Sequence, residues 1–224
     1  MALSKQEVAQ RIAESGMVPV FYNDDLEVCK SVLGAHYRAG VRVFEFTNRG
    51  ANAFQNFVAL KKYAENNFRG LVLGIGTVLD AKTSIEYIRA GAEFIVSPVF
   101  KQEMANECKK AFKLWIPGCF TPSEIANAMD QGAEIVKLFP ANVLEPRFLK
   151  GFLAIMPQAK VMPTGGVDPD FESISKWYEA GAITLGMGSK LNKQEHIDSK
   201  NYTALEEDVR QCMKIINDCR TQSI

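Results

Sequence analysis

A lysine inside an apolar run is the first residue of this chain that points to chemistry. Lys137 lies in the run IVKLF, between Val136 and Leu138. Such a short apolar run is typical of a buried strand, where lysine is rare. Because removal from water disfavours the ammonium form, we expect a lowered pKa and some free amine, the nucleophile that forms a Schiff base with a carbonyl substrate. The alternative is a lysine that snorkels to the surface or pairs with Glu134.

A carboxylate in a similar setting is the second candidate. Glu45 lies between Phe44 and Phe46, so burial should raise its pKa into a range that suits proton exchange. The alternative is an ion pair with Arg42 or Arg49. Arg49 also presents a planar guanidinium that fits a carboxylate or phosphate, unless it is a solvated loop residue.

The elements that must position these residues follow a repeated pattern. Similar phrases begin at Ala39 (AGVRVFEF), Ala90 (AGAEFIVSP), Gln131 (QGAEIVKLFP) and Ala180 (AGAITLGMG). Each places a glycine after a helical pattern and before an apolar run, which predicts a left-handed helix end followed by a strand buried on both faces. The intervals leave room for two βα units in each repeat.

Further strands are predicted between the phrases, at Val18–Tyr22, Leu71–Thr77, Trp115–Phe120 and Lys160–Gly165. Helices are predicted at Leu26–Ala39, Phe54–Asn66, Ala81–Ala90, Lys101–Phe112, Pro122–Gln131, Phe148–Ile155, Phe171–Ala180 and Tyr202–Cys219. Thr121 and Asp168 are the predicted starts of two of them, each followed by proline. The stretch from Asn192 to Lys200 is polar.

About eight alternating units predict an α/β fold, a single (β/α)8 TIM barrel over residues 1–224. The segment Met1 to Gly16 predicts an N-terminal amphipathic helix rather than a signal peptide. A doubly wound open sheet is the alternative, but its GxGxxG turn is missing after the first predicted strand.

The active site of a (β/α)8 barrel lies at the carboxyl ends of its strands. The residues predicted there, besides Lys137 and Glu45, are Arg49, Thr77, Pro98, Phe139, Thr164, Gly165, Gly166, Gly188 and Ser189. Backbone N–H groups after the last two strands commonly hold a phosphate in this fold. Either glycine pair alone would be an ordinary turn, whereas both together favour the phosphate. Lys190 either assists an anion or points to solvent.

Composition argues against several classes of protein. The formal net charge is zero, so we expect neither nucleic acid nor an anionic membrane as a partner. Five scattered cysteines and two histidines predict reduced thiols, a cytoplasmic location and no metal or other cofactor. Cys119 has no nearby histidine and is interpreted as an inert or pocket-lining thiol.

Taken in order, the motifs resemble those of the 2-keto-3-deoxy-6-phosphogluconate (KDPG) and 2-keto-4-hydroxyglutarate (KHG) aldolases, which are class I aldolases. The motifs are VPVFY, VRVFEFTNRGA, GIGTVLDA, FIVSPVF, IPGCFTPSEI, VKLFPA, MPTGGV and GMGSKL, between Val18 and Leu191. The resemblance implies metal-free cleavage of a keto-acid substrate that releases pyruvate, and a homotrimer. A phosphogalactonate-specific relative and a catalytically silent barrel that binds a phosphorylated ligand are the alternatives.

The resemblance also implies a role for each matching residue. Lys137 would form the Schiff base, and Glu45 would act as acid and base. Arg49 and Thr77 would hold the pyruvyl carboxylate. The remaining predicted positions would line the pocket or bind the rest of the substrate and its phosphate, namely Pro98, Phe139, Thr164, Gly165, Gly166, Gly188 and Ser189. Three motifs depart from the family pattern, with TNRG after Glu45, PGCF after the fifth strand and Met187 before Gly188.

Overall fold

The computed structural model describes residues 3–222. Met1, Ala2, Ser223 and Ile224 lie outside the described residues, and with them the ends of the predicted domain 1–224 and the start of the predicted segment Met1 to Gly16. Within residues 3–222 the chain is an α/β protein with parallel sheets and ten helices. No helix in this range combines the length and apolar character needed to cross a membrane.

The strands all pair in parallel. They are β1 (Met17–Phe21), β2 (Val43–Thr47), β3 (Val72–Gly76), β4 (Phe94–Val96), β5 (Leu114–Ile116), β6 (Gly118–Cys119), β7 (Val136–Leu138), β8 (Val161–Pro163) and β9 (Leu185–Met187). One sheet has the order β5-β4-β3-β2-β1-β9 and the other the order β6-β7-β8.

The two sheets meet at two places. The predicted strand Trp115–Phe120 is divided into β5 and β6 at Pro117, whose nitrogen carries no hydrogen for the ladder. At the other side, Thr164 bridges Gly186, and the Ile183 amide donates to the Val161 carbonyl at 3.1 Å. The strands of both sheets therefore end in the same direction, at a common carboxyl edge.

The helices are α1 (Lys5–Ser15), α2 (Leu26–Arg38), α3 (Ala53–Asn67), α4 (Ala81–Arg89), α5 (Gln102–Lys110), α6 (Pro122–Asp130), α7 (Ala141–Leu153), α8 (Phe171–Glu179), α9 (Gln194–Asp198) and α10 (Tyr202–Gln222). The predicted left-handed glycines are confirmed, with φ of 108° at Gly40, 94° at Gly91, 89° at Gly132 and 98° at Gly181. The predicted start of α6 is also confirmed, because Thr121 and Glu124 form a reciprocal capping box.

Two helix starts differ from the prediction. Helix α7 has a short additional segment, residues 141–144, ahead of the predicted helix, and the two parts are separated by non-helical backbone at Glu145, just before Pro146. Helix α8 is capped by Asp170, whose carboxylate accepts from the Ser173 amide at 2.8 Å, and not by Asp168. The polar stretch after Asn192 contains the short helix α9.

Helix α1 closes the amino-terminal end of the strands. It buries Val8, Ala9 and Ile12 and ends at Gly16, where φ is 71°. These side chains pack in one cluster with residues at or near the starts of strands, namely Val18, Val43, Val72, Phe94 and Leu114. A second, larger core lies between the strands and the surrounding helices. The carboxyl edge of the strands therefore remains the open end.

Candidate active site

A cavity of about 520 Å³ opens at the carboxyl edge of the strands. Its lining residues are Val20, Phe21, Tyr22, Arg49, Thr77, Pro98, Lys137, Phe139, Thr164, Gly165, Gly166, Val167, Gly186, Gly188, Ser189, Lys190, Asn192 and Gln194. The structure therefore brings together every residue predicted for the site except Glu45, which lies directly behind Lys137.

Lys137 projects into this cavity from the middle of β7. Its backbone is held between β6 and β8, with Gly118 and Met162 as register partners. Its side chain is only 5% exposed, and Nζ lies 5.1 Å from the centre of the Phe139 ring. Glu134 pairs instead with Lys5 at 3.1 Å, so the alternative pairing of Lys137 with Glu134 is wrong.

Glu45 is the partner that the structure gives to Lys137. The distance from Lys137 Nζ to Glu45 Oε1 is 3.9 Å, and the Glu45 side chain is completely buried. Neither carboxyl oxygen has a hydrogen-bond partner among residues 3–222. Arg42, an alternative partner, donates to the carbonyls of Tyr37 and Val41. Glu45 thus lacks the hydrogen bonds that would hold it as an inert structural carboxylate.

Burial perturbs both members of this pair. Removal from water lowers the pKa of Lys137, and the Glu45 charge opposes this only in part. Removal from water raises the pKa of Glu45, against the charges of Lys137 and Arg49. Because burial is the larger cause on both sides, the free amine of Lys137 and the carboxylic acid form of Glu45 are each more populated than they would be in water. The arrangement places a nucleophilic amine next to a proton donor.

Arg49 and Thr77 lie together at the ends of β2 and β3. Arg49 Nε approaches Thr77 Oγ1 at 3.5 Å, and Thr77 adopts a left-handed backbone conformation with φ of 59°. The turn that carries Arg49 is held by its neighbour Asn48, whose amide donates to the Gly76 carbonyl at 2.8 Å and whose Oδ1 accepts from Tyr87 at 2.8 Å. A cationic fork and a hydroxyl therefore line the same cavity as Lys137.

The part of the cavity that follows β8 and β9 is built largely from backbone. Gly165 and Gly166 have φ of 88° and 85°, and a side chain at position 166 would overlap Asn142. Gly188 and Ser189 form a turn next to them after β9. Lys190 also lines the cavity, and its Nζ pairs with Asp168 at 3.3 Å. Glycine-rich backbone beside a lysine suits an anionic group.

Three polar lining residues were missed from the sequence. Tyr22 directly follows β1, and its hydroxyl donates to Asp24; its position at the end of the predicted strand was a usable signal. Asn192 lies just before α9 and Gln194 is the first residue of α9; both fall in the polar stretch of the sequence, where nothing in the pattern sets them apart.

Two other strand-end residues have structural surroundings. Ser97 accepts a hydrogen bond from the Trp115 indole at 3.1 Å. Cys119 is buried, and burial raises the pKa of its thiol to about 12. A thiol with this pKa is protonated at neutral pH, in line with the interpretation of an inert cysteine.

Comparison with known proteins gives consistent matches. 2-Dehydro-3-deoxy-6-phosphogalactonate aldolase of Escherichia coli (strain K12) is 32% identical over 121 residues, 54% of this chain and 58% of that protein, so the match spans less than two thirds of that relative. KHG/KDPG aldolase of the same strain is 31% identical over 163 residues, 72% of this chain and 75% of that protein.

A solved structure agrees with these relatives. KDPG aldolase from Legionella pneumophila, with pyruvate captured at low pH as a covalent carbinolamine intermediate, superimposes with a TM-score of 0.82 at 26% identity, over 92% of this chain and 96% of that chain. The family model described as KDPG and KHG aldolase matches residues 8–207. The chain therefore belongs to the KDPG and KHG aldolase family.

Proposed function

We propose that this protein is a class I aldolase, a lyase that reversibly cleaves KDPG to pyruvate and glyceraldehyde 3-phosphate, KHG to pyruvate and glyoxylate, or both. The observation that carries the proposal is the buried Lys137 amine at the cavity, 3.9 Å from the unpartnered carboxyl group of Glu45. A silent ligand-binding barrel has no need for such a pair, because two buried ionisable groups are costly to the fold.

The first half of the reaction forms the Schiff base. The uncharged Lys137 amine attacks the C2 ketone and gives a carbinolamine. Glu45 donates a proton to the carbinolamine hydroxyl, which leaves as water, and a protonated imine remains on Lys137. Arg49 and Thr77 hold the substrate carboxylate next to the reacting carbon.

The second half breaks the carbon chain. Glu45, now a carboxylate, takes the C4 hydroxyl proton directly or through a water. The C3–C4 bond breaks, its electron pair moves to the imine to form an enamine, and the aldehyde leaves. Glu45 then returns the proton to C3. Water hydrolyses the protonated imine to pyruvate and the free Lys137 amine, and the proton released in this step restores the acid form of Glu45. The imine accepts the electron pair, so the proposed reaction requires no metal or other cofactor.

The far end of the substrate would lie against the glycine-rich side of the cavity. Thr164, Gly165, Gly166, Gly188 and Ser189 would receive the phosphate, while Pro98 and Phe139 would pack against the carbon chain. Backbone N–H groups in left-handed turns suit phosphate oxygens. The 520 Å³ cavity is within the size range of small-molecule sites.

A second candidate substrate is 2-keto-3-deoxy-6-phosphogalactonate. The 32% identity to the phosphogalactonate aldolase of E. coli favours it. The same residues would serve, because the two sugar acids differ in configuration at C4. Turnover measured side by side on the two epimers decides between them.

Borohydride trapping with pyruvate tests the proposal. We expect a reduced pyruvyl adduct that peptide mass mapping assigns to Lys137. Lys137→Met should give no adduct, whereas Lys160→Met should be trapped normally, because Lys160 is an exposed lysine just before β8. A folded wild-type protein without an adduct would contradict the proposal and favour the silent barrel.

We further infer the overall organisation of the enzyme. The split strand at Pro117 and the Thr164–Gly186 bridge support an eight-stranded closed barrel forming a single domain, with α1 as its amphipathic N-terminal helix. Exposed apolar side chains near the carboxyl edge of successive units support a homotrimer, namely Phe54, Val58, Leu79 and Val99. Such exposed apolar groups are typical of an oligomer interface. A cytoplasmic location fits an enzyme of small keto-acid substrates.

A further inference from the structure

Asn192 is a buried polar residue of the cavity wall that the proposed reaction does not use. It is 5% exposed and lies just before α9. Its Nδ2 donates to two main-chain carbonyls, of Val20 at 3.3 Å and of Gly188 at 3.2 Å. The side chain therefore connects the end of β1 to the turn that follows β9.

The orientation of this amide is set by its partners. Both are carbonyl oxygens, so the donor nitrogen must face them. Oδ1 consequently points away, and it has no hydrogen-bond partner among residues 3–222. A buried acceptor without a partner is unfavourable, and an apolar side chain of similar size would avoid that cost. The two donated hydrogen bonds are thus the reason for an asparagine at this position.

These hydrogen bonds extend the strand ladder at a point where backbone cannot. The β1–β9 pairing ends at Pro19 and Met187. The chain then turns away at Gly188, whose carbonyl accepts from the amides of Leu191 at 3.1 Å and Asn192 at 3.0 Å. The Asn192 side chain takes the place of the next ladder partner. It holds the turn against β1, and that turn presents Ser189 to the cavity.

We propose that Asn192 is a positioning residue for this anion-binding turn and thereby sets the preference for substrates with a phosphate at the far end. The inference rests on the proposed function, because it assumes that the turn receives the substrate phosphate. The pyruvyl side is supported by other elements, with Lys137 on β7 and Glu45 on β2. Loss of the Asn192 amide should therefore affect the far end of the substrate and spare formation of the Schiff base.

The test compares two substrates that differ only in the phosphate, KDPG and 2-keto-3-deoxygluconate. For Asn192→Leu we expect the ratio of kcat/KM for KDPG to that for the dephosphorylated substrate to fall by about tenfold, the effect of misplacing one or two hydrogen bonds. Asn192→Ser keeps one donor and should give an intermediate ratio. Borohydride trapping with pyruvate should be unchanged in both variants.

Asn56 provides a matched control. It is 7% exposed, and its Nδ2 also donates to two carbonyls, of Asn23 at 3.1 Å and Asp24 at 2.9 Å, outside the cavity lining. Asn56→Leu should lose comparable thermal stability and keep the wild-type substrate ratio.

Each result decides a different point. An unchanged ratio in Asn192→Leu would overturn the inference, and so would an equal loss of preference in Asn56→Leu. If Asn192→Leu does not fold, the ratio measured for Asn192→Ser decides by the same criterion. Failure of the wild type to trap pyruvate would contradict the proposed aldolase itself, whereas normal trapping with an unchanged ratio would refute only the role of Asn192.

Discussion

At the scale of single residues, Lys137 and Glu45 act as one titrating unit. They are 3.9 Å apart and both buried, so the proton affinity of each depends on the charge of the other. Burial lowers the pKa of Lys137 and raises the pKa of Glu45. The pair carries one positive charge at low pH, none over an intermediate range, and one negative charge at high pH. Only the intermediate state offers both the amine and the acid.

The first prediction concerns pH dependence. For the wild type we expect a bell-shaped profile of kcat/KM: activity falls at low pH as Lys137 is protonated and at high pH as Glu45 loses its proton. In Glu45→Gln the acid limb should remain, because the amine still titrates, and the alkaline limb should disappear. The rate should drop by about 10²–10⁴-fold, the usual contribution of a general acid–base.

The measurement is steady-state aldol cleavage from about pH 5 to about pH 10 in steps of about half a pH unit, a range that lies between the ordinary pKa values of the two groups. Circular dichroism at each pH excludes unfolding as the cause of either limb. An unchanged alkaline limb in Glu45→Gln would mean that another group is the acid.

At this scale the sequence carries a signal where a charged residue interrupts an apolar run. Glu45 between two phenylalanines and Lys137 within IVKLF contradict the local pattern, and that contradiction marks them. Asn192 is an ordinary residue type for a polar stretch. Its proposed function depends on hydrogen bonds to two carbonyls that are 172 and four positions away along the chain. A contact of that kind has no local signal.

At the scale of elements, the glycines of β3 leave space for the Glu45 carboxyl group on the neighbouring strand β2. Glu45 pairs in register with Gly74, and Gly76 lies at the end of the same strand. A Cβ at position 76 would overlap Glu45 Oε1. Gly76 is therefore required by the carboxyl group on the neighbouring strand.

The second prediction follows from this packing. Gly76→Ala should displace the Glu45 carboxyl group and lower kcat by at least about 100-fold, since misplacement by about 1 Å has effects of this size. Single-turnover cleavage of KDPG measures the loss.

Gly151→Ala is the control for a glycine-to-alanine change. No atom lies within 4 Å of a Cβ at position 151 in α7, so we expect unchanged activity and a gain of up to about 1 kcal/mol in stability. A near-normal kcat in Gly76→Ala would show that the reaction does not require the Glu45 carboxyl group at its wild-type position.

The alternation of elements could be predicted from apolar runs and glycines, but the exact ends could not. Asp168 and Asp170 both precede α8, and the proline that follows Asp168 predicts Asp168 as the cap. The structure selects Asp170 because its carboxylate reaches the Ser173 amide, while Asp168 turns towards Lys190. Helix α7 likewise has helical residues on both sides of the non-helical Glu145, whereas the apolar periodicity is visible only after it.

At the scale of the whole molecule, the two ends of the strands differ. Helix α1 packs its apolar face against the strand starts, and the carboxyl edge holds the cavity. Exposed apolar residues near that edge include Phe54, Val58, Leu79 and Val99. Ile155, which is 82% exposed, lies after α7 and before β8, towards the opposite end.

The third prediction tests the proposed homotrimer. Sedimentation equilibrium of the wild type should give about three times the chain mass of 24.9 kDa. The double variant Val58→Lys/Leu79→Lys should dissociate to monomers, because two buried like charges are strongly unfavourable in an interface. Ile155→Lys should remain trimeric. A monomeric wild type, or dissociation by Ile155→Lys alone, would refute the proposed interface.

The sequence by itself determined the α/β class and the alternation of strands and helices, and it indicated the candidate nucleophile and acid, because burial patterns and their exceptions are local. It did not determine that Lys137 pairs with Glu45 rather than Glu134, that β5 and β6 separate at Pro117, or that Asn192 joins β1 to the turn after β9. Those features depend on register and on contacts between distant segments. Only the tertiary structure decides them, because side chains far apart in sequence interact once packing has brought their strands together.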